Sequence, residues 1–93
     1  MDPIEFNNDS WIMKGDITLT QVPNILKLTS DYNWRNSVLI DLIQVEEVDT
    51  SLIGLIFNWK KQAKKYNKSI KIKNIPSNLL SLAKLYGVEE FIS

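Results

Sequence analysis

The sequence predicts an α/β fold in which a mixed β-sheet of about four or five strands carries about three helices. A chain of 93 residues is long enough for one small core. Short apolar runs typical of strands alternate along it with segments whose apolar residues recur at helical spacing. Because neighbouring parallel strands need long crossover connections, the helical segments between strands indicate parallel pairing. We therefore expect residues 1–93 to form a single domain.

The amino-terminal part predicts a β-hairpin followed by a helix. Two short apolar runs, residues 4–6 and 11–13, flank the polar residues 7–10, which is typical of two strands joined by a turn. After the break at Gly15, apolar residues at helical spacing predict a helix over residues 19–32. Thr18 or Thr20 is its predicted N-cap, and Pro23 is compatible with the first turn.

The middle of the chain predicts the central strand and the longest helix. Residues 37–42 are β-branched and aliphatic with little alternation, which indicates a strand covered on both faces. The acidic segment 44–49 is predicted to be a connector. Residues 50–67 contain no proline and keep apolar residues at helical spacing, so they predict a long helix.

The carboxyl-terminal part predicts a strand, a third helix and a short final segment. Residues 69–75 alternate isoleucine with lysine, which indicates an edge strand or a strand with one exposed face. Ser77 is the predicted N-cap of the third helix, and Gly87 is predicted to end it. Residues 88–92 form a short terminal piece.

The composition argues against most kinds of active site. The 11 basic and 11 acidic residues balance, so the net charge gives no reason to expect nucleic-acid binding. The chain has neither cysteine nor histidine, which excludes zinc sites of the usual type, cysteine nucleophiles and histidine-based triads. We expect a protein that is not an enzyme and that carries no cofactor or metal.

The chain suits a reducing cytosol. Residues 1–10 hold three acids, no base and no apolar stretch of signal-peptide length. The longest apolar tract, residues 52–57, is far shorter than the ~20 residues of a membrane-spanning helix. We therefore expect a soluble cytoplasmic protein without direct membrane insertion. A soluble subunit of this kind can still function beside a membrane.

The densest group of polar side chains stands where the long helix begins. Asp49, Thr50 and Ser51 follow one another there. One interpretation is helix capping, in which a side-chain oxygen accepts a hydrogen bond from a free N–H group. The other is regulation, because a helix start stabilises negative charge and would tolerate a phosphoryl group on Thr50 or Ser51. The residues alone leave both interpretations open.

The first half of the long helix carries more apolar residues than one sheet would cover. Ile53 and Phe57 lie to one side of its main apolar stripe, and Thr50, Phe57 and Lys61 fall on one line of the helix. This line is either a wide core face or part of a protein-docking surface. The main stripe consists of Leu52, Ile56, Trp59 and Ala63, with Leu55 beside it.

Lysines dominate the segment that follows. Residues 60–73 contain seven lysines and no acid. Such a run is either a solvated helix face or a surface for an anionic headgroup or an acidic partner. A small-ligand or lipid-binding module that uses this face and Trp59 is a third, weaker hypothesis for the function.

The order of elements, together with one motif, resembles the STAS domain family, named for sulphate transporters and anti-sigma-factor antagonists. The strand at residues 38–42 and the segment 45–55, which contains Asp49-Thr50-Ser51-Leu52-Ile53-Gly54-Leu55, resemble the family's strand and the loop that leads into its regulatory helix. Residues 14–17 resemble its early glycine-acid turn, and residues 81–88 are similar to the third helix of the small cytoplasmic STAS subunits of Mla phospholipid-transport ABC complexes. The resemblance covers residues 4–92.

The resemblance implies a binding role. It implies a non-enzymatic regulatory or assembly subunit that binds the ATPase of an ABC phospholipid transporter. That transporter maintains the lipid asymmetry of the outer membrane. The subunit would be held by its partner at the inner face of the inner membrane. The alternative is an anti-sigma-factor antagonist whose partner is an anti-sigma-factor kinase. Thr50 matches the family's regulatory hydroxyl and Ser51 its neighbour, whereas Leu52 replaces the usual glycine. We expect Leu52 to add apolar surface and so to favour permanent docking over phosphorylation.

Overall fold

The structure, a computed structural model that describes residues 2–92, has the predicted α/β class. A mixed four-stranded sheet carries three α-helices. Its strands are β1 (Ile4–Asn7), β2 (Ser10–Ile17), β3 (Val38–Val48) and β4 (Ile70–Lys73), and its helices are α1 (Val22–Thr29), α2 (Thr50–Lys65) and α3 (Ser77–Leu85). Short 3-10 helices span Leu19–Gln21 and Glu89–Phe91.

The sheet has the strand order β1-β2-β3-β4. The predicted hairpin is confirmed, since β1 and β2 are antiparallel and Asn7 lies opposite Ser10. Asn8 turns the chain with a φ of 55°, a left-handed conformation that asparagine tolerates well. β2, β3 and β4 are parallel neighbours, as the helical crossovers predict. β4 is an edge strand on which Lys71 and Lys73 are exposed, which confirms that prediction as well.

β3 is longer and less covered than predicted. Its pairing with β2 continues as far as Val48, so the prediction of an acidic connector over residues 44–49 was wrong. Ile40 and Leu42 are buried beneath the helices, but Asp41 is half-buried and Ile43 is 63% exposed on the other face. The expected cover on both faces was therefore also wrong. Because the helices cover one face, acidic side chains can occupy a strand without being buried.

The core contains the predicted stripe of α2 and a cluster of aromatic rings. Leu52, Leu55, Ile56, Trp59 and Ala63 are all buried. In the cluster, the Trp11 ring lies 5.2 Å from Trp59, 5.6 Å from Trp34 and 4.8 Å from Tyr32, measured between ring centroids. The buried Trp11 Nε1 has no hydrogen-bond acceptor within residues 2–92.

The structure corrects two predicted ends of α1. The helix stops at Thr29 rather than residue 32, because Tyr32 turns inward to pack its ring on Trp11. Neither predicted threonine caps α1, because a 3-10 helix precedes it and α1 begins only at Val22. The hydroxyl oxygens of Thr18 and Thr20 instead lie 3.2 Å from each other.

The ends of α3 follow the prediction in part. Ser77 is the first residue of the helix rather than its cap, a position that Pro76 takes. Gly87 ends the helix as predicted, with a φ of 68° that suits glycine. The N–H of Val88 then donates to the carbonyl of Ala83 at 2.8 Å, which brings the carboxyl-terminal segment back toward α2.

Candidate docking site at the start of α2

Asp49 fixes the start of α2 with both oxygens of its carboxylate. Oδ1 accepts a hydrogen bond from the N–H of Ser51 at 2.9 Å, so Asp49 is the N-cap, as the capping interpretation predicts. Oδ2 accepts a second bond, also 2.9 Å, from the N–H of Leu19, which lies 30 residues earlier. Partial desolvation opposes ionisation, but the Leu19 and Ser51 hydrogen bonds outweigh it and hold the pKa of Asp49 below its usual value. The residue therefore joins the first 3-10 helix to α2.

Replacing Asp49 with alanine is expected to lower the free energy of unfolding by about 1–2 kcal/mol at neutral pH, as for other lost N-caps. Because the folded pKa of Asp49 lies below its unfolded pKa, its contribution is complete above the unfolded value and disappears as pH falls through the folded value. The difference in stability between wild type and variant should therefore become smaller in acid. Urea unfolding at a series of pH values measures this difference.

Asp49→Asn is the matched control for that prediction. Asparagine also caps helices, so this variant should keep most of the stability at neutral pH and lose the acid dependence that Asp49 contributes. A difference between wild type and Asp49→Ala that stayed constant through the acid range would contradict the assignment.

The two candidate hydroxyls lie on opposite flanks of α2. Thr50 is exposed and lines a groove of about 230 Å³ between α2 and the end of α3, which we call the docking groove. Ser51 is half-buried and lines a second groove of about 390 Å³ between α1 and α2. The docking groove is lined by Thr50, Ile53, Phe57, Tyr86 and Val88. The second groove is lined by Leu19, Val22, Leu26, Ser51, Gly54, Leu55 and Asn58.

Ile53 and Phe57 are better covered than the sequence indicates. Ile53 is only 6% exposed, so the expectation of surplus apolar surface was wrong there, whereas Phe57 is half-buried and keeps part of its ring accessible. The carboxyl-terminal segment provides the missing cover: the Phe91 ring packs edge-on against Phe57 at 5.7 Å, and Lys60 Nζ donates to the carbonyl of Phe91. Both residues still reach the groove as its apolar floor.

The most exposed apolar residues at the two grooves are ones that the sequence did not indicate as docking residues. Tyr86 is 61% exposed at the mouth of the docking groove, and Leu19 is 68% exposed beside the second groove. For Tyr86, the sequence feature that could have indicated this exposure is an aromatic residue directly before Gly87, which ends the helix. Lys61, which was selected, is exposed one turn beyond Phe57 but does not line the groove.

Leu52 does not belong to this surface. Its side chain is fully buried, so the expectation that it adds apolar surface was wrong. Gly54, by contrast, is exposed, and a Cβ atom built there would meet nothing within 4 Å. Glycine inside a helix costs about 1 kcal/mol relative to alanine. The open backbone at Gly54 leaves room for close approach by another chain.

These features define a class of protein: a small α/β module that presents one helix start, with apolar grooves on both flanks, as a contact surface. Comparison with protein families is more specific. The family model described as "Mlab, STAS domain" matches residues 13–93, and the chain belongs to the STAS domain family. Membership supports a regulatory or assembly role. A search of curated proteins finds no match to the chain.

Within residues 2–92, no helix is both long enough and apolar enough to span a lipid bilayer.

Proposed function

We propose that this protein is a non-enzymatic regulatory or assembly subunit that docks the Thr50 end of α2 onto the ATPase of an ABC-type phospholipid transporter. Its place would be the cytoplasmic side of the inner membrane, where its partner holds it, and the transporter would maintain outer-membrane lipid asymmetry. The docking groove, with an exposed hydroxyl at its rim, carries the proposal. The family match to residues 13–93 supports it.

The shape and chemistry of the groove suit a protein partner. Its floor is aliphatic and aromatic, and Tyr86 stands at its mouth with most of its ring in solvent. Tyrosine is enriched at interface hot spots, because a large, rigid side chain becomes buried on binding at little cost in conformational entropy. A partner side chain that entered the groove would bury the exposed part of Tyr86 together with the apolar floor.

The proposal is tested by co-purification of the tagged protein with the ABC ATPase encoded nearest to its gene. Thr50→Glu and Tyr86→Asp each place a charge at the proposed interface, and a charge buried without a partner typically costs about 3–5 kcal/mol. We therefore expect binding to fall by at least a hundredfold in both variants. Ile43→Asp is the control, since Ile43 is 63% exposed on the open face of the sheet and lines neither groove. Full binding by both groove variants would contradict the proposed surface.

The exposed Thr50 hydroxyl also favours a second candidate function, that of an anti-sigma-factor antagonist switched by phosphorylation. Thr50 is the first residue of α2, where the helix dipole favours negative charge. Ser51 is a poorer acceptor because it is half-buried and its side chain is hydrogen-bonded to the Asp49 carboxylate. Intact-mass measurement after incubation with candidate anti-sigma-factor kinases separates the two functions: one added phosphate that Thr50→Val abolishes would favour the switch.

A further inference from the structure

Lysines gather at the opposite end of α2, around the edge strand β4. Lys60, Lys64 and Lys68 line a cleft of about 270 Å³ together with Ser69 and Ile70. Lys65 follows on the last turn of α2, whereas Lys71 and Lys73 stand on the open face of β4, away from the helices. We call Lys64, Lys65 and Lys68 the lysine face.

The charge of the lysine face is not neutralised within the described chain. The one ion pair within residues 2–92 joins Lys14 to Glu5. Lys73 is partly compensated by Asp41, whose pKa is lowered chiefly by the Asn74 hydrogen bond and to a lesser degree by Lys73, and Lys60 donates to a backbone carbonyl. The three lysines of the face have no such partner within residues 2–92, although the chain as a whole has a net charge of zero.

We propose that the lysine face binds the anionic phospholipid headgroups of a membrane surface. The cleft offers the ammonium groups of Lys64 and Lys68 to a phosphate, and Lys65 adds to the positive charge that an anionic bilayer attracts. Tyr66 lies within the face, 53% exposed and 5.9 Å from Lys65 Nζ, measured to the ring centroid. Tyrosine and lysine together are typical of residues at the membrane–water interface.

The side chains favour lipid over an acidic protein or nucleic acid. Recognition of fixed carboxylates and phosphates generally uses the forked guanidinium of arginine, whereas the face contains lysine alone. Flexible, strongly hydrated ammonium groups suit a fluid array of headgroups that has no fixed pattern. Binding would be peripheral, because the lysine face carries no apolar segment that could enter the bilayer.

The lysine face and the docking groove can be occupied together. They lie at opposite ends of α2, and a rise of about 1.5 Å per residue separates Thr50 from Lys65 by roughly 22 Å. Membrane binding therefore does not depend on the proposed function, and either can fail without the other.

Sedimentation with vesicles tests this proposal. Wild type should sediment with vesicles of equal parts phosphatidylcholine and phosphatidylglycerol, less so as salt rises, and should stay in solution with phosphatidylcholine alone. Because each lysine near an anionic surface contributes roughly fivefold in binding, Lys64→Gln/Lys68→Gln should bind about 25-fold more weakly. Lys27→Gln/Lys84→Gln, on α1 and α3, removes the same charge elsewhere and should bind like wild type.

Several results would overturn the proposal. Failure to sediment with the anionic vesicles would do so directly, and equal weakening of the two double variants would show attraction by overall charge rather than by the lysine face. Binding to inorganic phosphate or to polyglutamate without vesicle binding would assign the lysines to a free anion or an acidic protein. Circular dichroism of both double variants checks that each is folded.

Discussion

Replacing Trp59 with alanine is expected to lower the free energy of unfolding by about 3–5 kcal/mol, as in other large-to-small core substitutions. Trp59 is fully buried, packs edge-on against Trp11 and donates from Nε1 to the hydroxyl of Thr29 at 3.1 Å. The substitution removes the side chain that joins α2 to both the sheet and α1. Since a chain of this size has a total stability of about 5–14 kcal/mol, the variant should be close to unfolding at 37 °C.

The measurement for Trp59 is urea unfolding followed by far-ultraviolet circular dichroism, because the substitution removes one of the three tryptophans that fluorescence would report. Trp59→Phe is the matched control. It keeps an aromatic ring and loses the bond to Thr29, so its loss should be clearly smaller. A loss below about 1 kcal/mol in Trp59→Ala would show that the aromatic cluster contributes far less than its burial indicates.

Local patterns predict the parts of this fold in which one face of an element is buried. The α2 stripe from Leu52 to Ala63 has helical spacing because that face packs on the sheet, and the structure confirms all of its members as buried. The second half of β3 escaped prediction because the sheet has an open face. There Ile43 and Glu46 are both exposed, and neither their order nor their polarity distinguishes a strand from a loop.

The candidate site divides in the same way. The cap by Asp49 is local chemistry between neighbours and could be predicted from the sequence. Its bond to Leu19 could not, because it joins segments 30 residues apart that only the folded sheet brings together. The cover of Phe57 by Phe91 also depends on the turn at Gly87, which returns the chain to α2. Spacing along one helix contains no information about what packs on it from elsewhere.

Leu52 separates the contribution of the core from that of the docking surface. The resemblance to the STAS family places glycine at this position, so leucine here is a departure, and the structure shows the departure filling the core instead of widening the surface. The residues directly before and after Leu52 line different grooves. Ile53 forms part of the floor of the docking groove, and Ser51 lines the second groove. A substitution at Leu52 should therefore act on stability and leave binding unchanged.

Leu52→Ala is expected to lower the free energy of unfolding by about 2–5 kcal/mol, because it leaves a cavity beneath α2. Leu85→Ala is the control, since Leu85 is 75% exposed and surface substitutions usually change stability by less than about 0.5 kcal/mol. Urea unfolding gives the stabilities, and titration of the ABC ATPase against the folded fraction gives the binding. Because Leu52 lies inside the fold and does not line the docking groove, Leu52→Ala should bind normally per folded molecule. The reverse pattern, with stability kept and binding lost at Leu52, would place this leucine in the interface and not in the core.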